Sequence, residues 1–268
     1  MRIQPILNVL VTGAGNGIGK SVCEYYYSKG INVIGIDIIF NEEAPYPTFV
    51  ADITNKESLQ IVSDYLNKNK IILDAIVNIA GVFTIGSFIE HDFDKIKKVM
   101  DVNVLGTMLV NQIMYKHLSK KGRIIVTSSE VAPLDPMPFN GIYNVSKTAI
   151  DSYSQSLRQE LNLLGQKVIT IRPGAVKTNL SEGSLTKTLE LTKNTVLYKE
   201  QSNNFHKSVK NFMGTPIAPI KMAKTYYKAL VTKHPRYIYN KHRNPGLVLL
   251  SILPKKWQCA IVKALVKQ

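Results

Sequence analysis

Apolar residues along this chain fall in short unbroken runs, and the stretches between them carry a helical period. Asn8–Val11, Val33–Ile36, Thr48–Ala51, Ala75–Asn78, Arg123–Thr127 and Lys167–Ile171 are the runs. Runs of four to six residues rich in Val and Ile read as buried strands. A helical stretch ends at Lys29-Gly30, a second runs from roughly Asn55 to Asn67, and a third starts near Phe93. A fourth carries Tyr143, with Ala149, Ile150, Tyr153 and Leu157 spaced for one helical face. Strand and helix alternate throughout, which predicts an α/β protein whose parallel strands are joined by right-handed crossovers.

Composition narrows the class without changing it. The chain has 268 residues, 45% hydrophobic and 20% charged, with no repeat or low-complexity tract, which suits one domain spanning residues 1–268. Cys23 and Cys259 have no metal-ligand spacing, so neither a metal nor a disulfide is expected, and a reducing compartment is. Met1–Leu7, broken by Pro5, is too short for a signal peptide, and the expected location is the cytoplasm.

The net charge of +15 is uneven. From Ser184 to Gln268 there are 16 Lys or Arg against two acids, Glu190 and Glu200, which leaves +1 for the first 183 residues. A soluble basic face, a polyanion or an anionic membrane would each account for this. No nucleic-acid-binding motif accompanies the charge, so nucleic acid is not an expected partner.

Chemistry concentrates where strands end. The first run enters Thr12-Gly13-Ala14-Gly15-Asn16-Gly17-Ile18-Gly19 and then a helix. Glycines there let the backbone turn tightly and approach a pyrophosphate, whose charge is favoured at a helix N-terminus. The second run ends in Asp37, 18 residues after Gly19, close to the spacing of a carboxylate that binds ribose hydroxyls. Its charge repels a 2′-phosphate, and Ile38 and Ile39 offer no Arg to hold one, which favours NAD over NADP. Asp52 and Ile53 follow the third run, toward the adenine. Asn78, Ile79, Ala80 and Gly81 close the fourth, where small residues let the backbone lie against a flat ring. Asn103 sits unexpectedly inside an apolar helix.

Tyr143 and Lys147 are one helical turn apart and project from the same face. An ammonium beside a phenol stabilises the phenolate and lowers its pKa, which would let Tyr143 exchange a proton with an alcohol or a carbonyl. Alone, such a pair also arises on solvated surface helices. Ser128-Ser129 at the end of the fifth run and Pro173-Gly174-Ala175-Val176-Lys177-Thr178 after the sixth complete the set.

Taken together these motifs resemble the short-chain dehydrogenase/reductase family, from about Asn8 to Thr178 and more loosely beyond. Thr12-Gly13-x-x-x-Gly17-Ile18-Gly19 is similar to its cofactor loop, Asn78-x-Ala80-Gly81 to its fourth-strand motif, and Pro173-Gly174-x-Val176-x-Thr178 to its nicotinamide-carboxamide segment. Asn103, Ser129, Tyr143 and Lys147 resemble its catalytic tetrad. The resemblance implies a Rossmann-type doubly wound sheet of about seven parallel strands, the last from Arg236 to Tyr239. It also implies Tyr143 as acid/base, Ser129 on the reacting oxygen, Lys147 on the nicotinamide ribose and Asn103 anchoring a relay water. Two departures stand out. Ile79 replaces a usual second Asn, and Ser129 precedes Tyr143 by 14 residues where 13 is usual, so Ser128 remains an alternative.

Asp151–Leu161 and Lys167–Gly174 look like the branch that includes retinol and hydroxysteroid dehydrogenases, which points to a bulky apolar alcohol or ketone. Family members build a substrate lid at 179–213. Here that segment carries Leu185, Leu189, Leu191, Val196, Leu197, Phe205 and Phe212, equally readable as core. In 246–268, Trp257, Ile261, Ala264 and Leu265 share one helical face and Lys256, Lys263 and Lys267 another, which suits either a subunit contact in a homodimer or homotetramer or peripheral attachment to a membrane. The alternative of a different class is a non-catalytic dinucleotide-binding redox sensor or scaffold.

Overall fold

The computed structural model describes residues 7–135, 137–212 and 215–267. Seven parallel strands lie in the order β3-β2-β1-β4-β5-β6-β7. They are β1 (Asn8–Thr12), β2 (Asn32–Asp37), β3 (Thr48–Val50), β4 (Leu73–Asn78), β5 (Leu118–Thr127), β6 (Lys167–Pro173) and β7 (Ile238–Lys241). The helices are α1 (Gly17–Tyr27), α2 (Lys56–Lys68), α3 (Phe93–Met100), α4 (Thr107–Met114), α5 (Gly141–Asn162), α6 (Asn179–Asn194), α7 (Lys199–Phe212), α8 (Pro219–Val231), α9 (Pro245–Ser251) and α10 (Lys255–Lys267).

Alternate residues of each strand serve opposite faces, so one sheet supports two cores. Val9, Val11, Val33, Ala75, Val77, Ile125 and Ile169 face α1 and α8, where Val22, Tyr26, Met222 and Tyr226 are fully buried. Leu10, Ile34, Ile36, Ile76, Ile124, Val126 and Val168 face the other way, against Leu59, Val62 and Leu66 of α2 and Val110 and Met114 of α4. Local signals set the helix starts. Asn55 and Asp92 cap α2 and α3 through side-chain oxygens, and Asn244 caps α9 ahead of Pro245.

Two differences from the sequence reading stand out. The last strand is Ile238–Lys241 rather than 236–239, because its extent is set by pairing with β6, from Thr170 opposite Ile238 to Pro173 opposite Lys241. The helical stretch after Phe93 is interrupted by a π-helix, Asp101–Gly106, which contains Asn103.

From β1 the chain moves outward through β2 and β3, then returns to place β4 on the other side of β1. The chain therefore leaves the carboxyl ends of β1 and β4 toward helices on opposite faces, α1 and α4, which opens a crevice of the kind where doubly wound sheets hold ligands.

Candidate active site

A cavity of about 510 Å³ occupies that crevice. Gly13, Asn16, Gly17, Ile18 and Gly19 line it from the β1–α1 turn. Gly13 has φ +73°, and a Cβ there would stand 2.8 Å from the Ala80 nitrogen, so the turn lies directly on the end of β4. A Cβ on Gly19 would come within 1.9 Å of the Gly13 carbonyl oxygen, so only glycine lets α1 start this close to the strand. Asn16, at the N-cap of α1, makes no side-chain bond to the first turn, and that turn holds no acid. Its N–H donors and the positive end of the helix dipole remain for an anionic ligand.

Gly15 does not line the cavity. Its N–H donates to Asp37 Oδ2 at 2.8 Å, and Ile38 N–H donates to Asp37 Oδ1 at 2.7 Å, so Asp37 both faces the cavity and holds the glycine turn. Ile38, Asp52 and Ile53 complete that end, with Ile39, Ala51, Lys98 and Val102, which the motifs did not single out. At the β4 end, Ile79, Ala80 and Gly81 line the cavity, and Thr12 Oγ1 accepts from the N–H groups of Ile79 and Ala80 at 3.1 and 3.2 Å. The Asn that Ile79 replaces is not needed to hold this turn. Asn78 points away, buried, and donates to Asn111 Oδ1 at 2.8 Å.

Ser129, Tyr143 and Lys147 converge on the other end of the cavity, opposite Pro173, Gly174, Val176 and Thr178. Ser129 and Ser128 have different surroundings. The Ser128 hydroxyl donates to the Lys147 carbonyl at 3.1 Å, while Ser129 Oγ accepts from Val131 N–H at 3.4 Å and pulls the pKa of the Tyr143 phenol down. Asn103 lies behind the wall. Its Oδ1 accepts from Val82 N–H at 2.7 Å, and its Nδ2 donates to the Val82 carbonyl at 2.9 Å and to Ser146 Oγ at 3.0 Å. One amide thus clamps the β4 exit to the helix that carries Tyr143 and Lys147.

Burial dominates the electrostatics. It pushes the Tyr143 phenol up to about 12, against a Ser129 hydrogen bond that pulls it down, and the Glu130 charge adds to the rise. Burial also brings the Lys147 ammonium down to about 8. The lowering of Tyr143 by Lys147 expected from their spacing is absent. Lys147 Nζ stands 5.7 Å from the Tyr143 ring centroid and donates to the Thr127 carbonyl at 3.3 Å.

The comparisons with known proteins agree with this geometry. The family model for short chain dehydrogenases matches residues 7–188. The chain is 31% identical over 207 residues to the short-chain dehydrogenase srdE of Neurospora crassa, covering 74% of this chain and 71% of that protein. The chain belongs to the short chain dehydrogenase family.

A second relative, the NADPH-dependent 3-dehydrocapnine reductase of Ornithobacterium rhinotracheale, is 31% identical over 188 residues, 64% of this chain and 66% of its own. Among solved structures, a short chain dehydrogenase family protein from Francisella tularensis superposes with a TM-score of 0.73 at 25% identity, covering 88% of this chain and 96% of that one. Short chain dehydrogenases bind a nicotinamide dinucleotide, and this cavity fits one. The uncapped start of α1 suits the diphosphate, Asp37 the adenosine ribose, and the bare backbone at Gly81 a flat ring.

This short chain dehydrogenase also holds a buried carboxyl that the motifs did not reveal. Glu130 follows Ser129, accepts from Asn244 N–H at 2.6 Å, and is pushed up by burial. Its position after Ser129 was the only sequence signal. The segment after Thr178 forms α6 and α7. Leu191 and Phe205 are buried there with Ile85, Phe139 and Val266, whereas Leu189, Val196 and Leu197 are exposed, so part of that apolar set is core. The side chains of Leu180 and Phe212, and all of Met213, lie outside the described residues, as do Met1–Ile6.

Proposed function

We propose that this protein is an NAD(H)-dependent oxidoreductase that interconverts a secondary alcohol and a ketone on a bulky apolar substrate of steroid, retinoid or acyl type. The observation that carries the reading is the convergence of Ser129, Tyr143 and Lys147 in one cavity with the glycine turn and Asp37. In the reducing direction Tyr143 gives its phenolic proton to the carbonyl oxygen as charge develops there, and Ser129 donates a hydrogen bond to the same oxygen. Lys147, brought down to about 8, is largely protonated at neutral pH. Its ammonium suits the nicotinamide ribose hydroxyls. Asn103 positions Val82 and α5 from behind the cavity wall. A nicotinamide dinucleotide bound in the cavity supplies or takes up the hydride. Ile79, Pro173, Gly174, Val176 and Thr178 shape its nicotinamide end.

NAD is favoured by Asp37 and by the absence of an Arg at Ile38 and Ile39. The NADPH-dependent relative makes this a point to measure. We assign α6 and α7 as the substrate lid, over an apolar cluster that includes Phe83, whose ring meets the Tyr143 ring edge-on at 4.9 Å. The reading treats the chain as one domain in the cytoplasm, free or peripheral at a membrane. A homodimer or homotetramer is supported by Leu105 and Val145, both exposed on adjoining helical elements.

Tyr143→Phe is the decisive test, since it removes the proton donor and keeps the ring. With steroids, retinoids and simple ketones as substrates, turnover of NADH falls at least about a thousandfold, within the range of general acid catalysis, while NADH binding stays near wild type. A variant as active as wild type overturns the mechanism. Wild-type protein that binds NADH and turns over none of these compounds supports the redox-sensor or scaffold alternative.

A further inference from the structure

The carboxyl-terminal helices carry an apolar stripe on the side away from the protein. Helix α10 docks on α7 by one face only. Val266 and Leu265 join the cluster beneath the lid, and Asn204 Nδ2 donates to the Val266 carbonyl at 3.3 Å. Gln258 is buried and donates to the carbonyls of Ser251 and Leu253 at 3.3 and 2.7 Å, which fixes α10 against the end of α9. Lys255 pairs with Asp135. The helical period then turns Trp257, Ala260, Ile261 and Ala264 outward. Trp257 is 64% exposed, and Ile252 and Leu249, at the end of α9, are 72% and 63% exposed.

Two observations decide what covers this stripe. Lys256, Lys263 and Lys267 are exposed about a quarter-turn to one side of it. From Gln201 to Gln268 the chain holds 13 Lys or Arg and not one Asp or Glu. A second copy paired through this face would set Lys256, Lys263 and Lys267 against like charges, and among the described residues none of the three has an ion-pair partner. An anionic bilayer complements both parts, because apolar side chains and Trp enter the headgroup boundary while lysines meet the lipid phosphates. Among the described residues no helix is long and apolar enough to cross a membrane, so the contact lies on the surface.

We propose that the α9–α10 face, built on Leu249, Ile252, Trp257 and Ile261 with its flanking lysines, docks the protein reversibly on anionic lipid bilayers. The surface stands independently of the oxidoreductase reading, and the lid it backs is then held close to the membrane.

The test is co-sedimentation of the full chain with vesicles of phosphatidylcholine and phosphatidylglycerol, beside vesicles of phosphatidylcholine alone. Wild type sediments with the mixed vesicles at low salt, is released at high salt, and stays in solution with the neutral ones. The double variant Trp257→Ser/Ile252→Ser loses at least about tenfold in vesicle affinity, as removal of two inserted side chains requires. Its thermal midpoint and nucleotide binding stay as in wild type, because both side chains are exposed and away from the cavity. Wild type that does not sediment with mixed vesicles overturns the proposal, as does a double variant that sediments equally well. A variant that drops to a smaller oligomer in light scattering, beside a wild type that ignores vesicles, assigns the face to a second copy instead.

Discussion

Asp37 works in two directions, and a substitution there changes both. Each carboxylate oxygen accepts one backbone N–H, from Gly15 and Ile38, and the same group faces the cavity. Hydrogen bonds to a charged group contribute about 1.5–3 kcal/mol. Asp37→Ala therefore weakens NADH binding by roughly tenfold or more and narrows its advantage over NADPH, as titration of each nucleotide by its own fluorescence would show. A wild-type protein that already prefers NADPH contradicts the assignment. Lys20 is a poor candidate to cause that, since it is paired with Glu42 at 2.7 Å. Lys147 offers a test of electrostatics without substrate. Its pKa in the folded protein, about 8, lies below the ordinary 10.5, so burying the ammonium destabilises the nucleotide-free fold. That cost is full below pH 8 and disappears as pH rises through 10.5. Lys147→Met is expected to stabilise the nucleotide-free protein by about 2 kcal/mol at pH 7, a burial cost of about 3 less the lost bond to Thr127. The gain in thermal midpoint shrinks between pH 8 and 10.5. A gain that does not change with pH would show that packing, not charge, is responsible. The Tyr143–Lys147 pair was legible from spacing, but its pKa values were not, because desolvation depends on burial that no local pattern states.

Among the elements, the β1–α1 turn is local in origin and the α6–α7 corner is not. Glycine spacing and an uncapped helix start specify the turn within twelve residues. The corner depends on distant partners. Glu90, from the β4–α3 connection, accepts from Thr195 Oγ1 at 2.5 Å and from the N–H groups of Val196 and Leu197 at 2.7 and 2.8 Å, and so closes the α6–α7 corner. Phe139 is held at φ +63°, a strained conformation for a bulky residue, with its carbonyl accepting from Gly86 N–H at 2.8 Å. Its ring packs edge-on against Tyr198 and Phe205 at 5.4 and 5.2 Å. Phe205→Ala is expected to cost about 3–5 kcal/mol in chemical denaturation and to raise KM for an apolar ketone while NADH binding is kept. The dinucleotide end is built from strand ends that Phe205 does not touch. Equal losses in NADH and ketone binding would mean that lid and cofactor cavity share one support. The π-helix at Asp101–Gly106 belongs at this scale too. Asn103 marked it as unusual, yet the clamp on Val82 became visible only once β4 and α5 were adjacent.

For the whole molecule, charge and topology divide the chain differently. The sheet runs from Asn8 to Lys241, and its two buried cores draw on residues from Val9 to Leu230. Most of the net charge lies after residue 183, spread over α6 to α10 and β7. The alternation of apolar runs and helical periods was enough to determine parallel strands, because each short Val/Ile run must be buried on both sides and each amphipathic stretch on one. The glycine turn, Asp37 and the Tyr143–Lys147 spacing were determined in the same way, since each is a local geometric requirement. Other features needed the tertiary structure. The last strand took its extent from β6, the Ser128 hydroxyl found the Lys147 carbonyl, and Leu265 turned inward while Trp257 and Ile261 stayed outside. These depend on which distant surface a residue meets. A helical or strand period says that a face is apolar, and only the packed chain decides whether protein covers it.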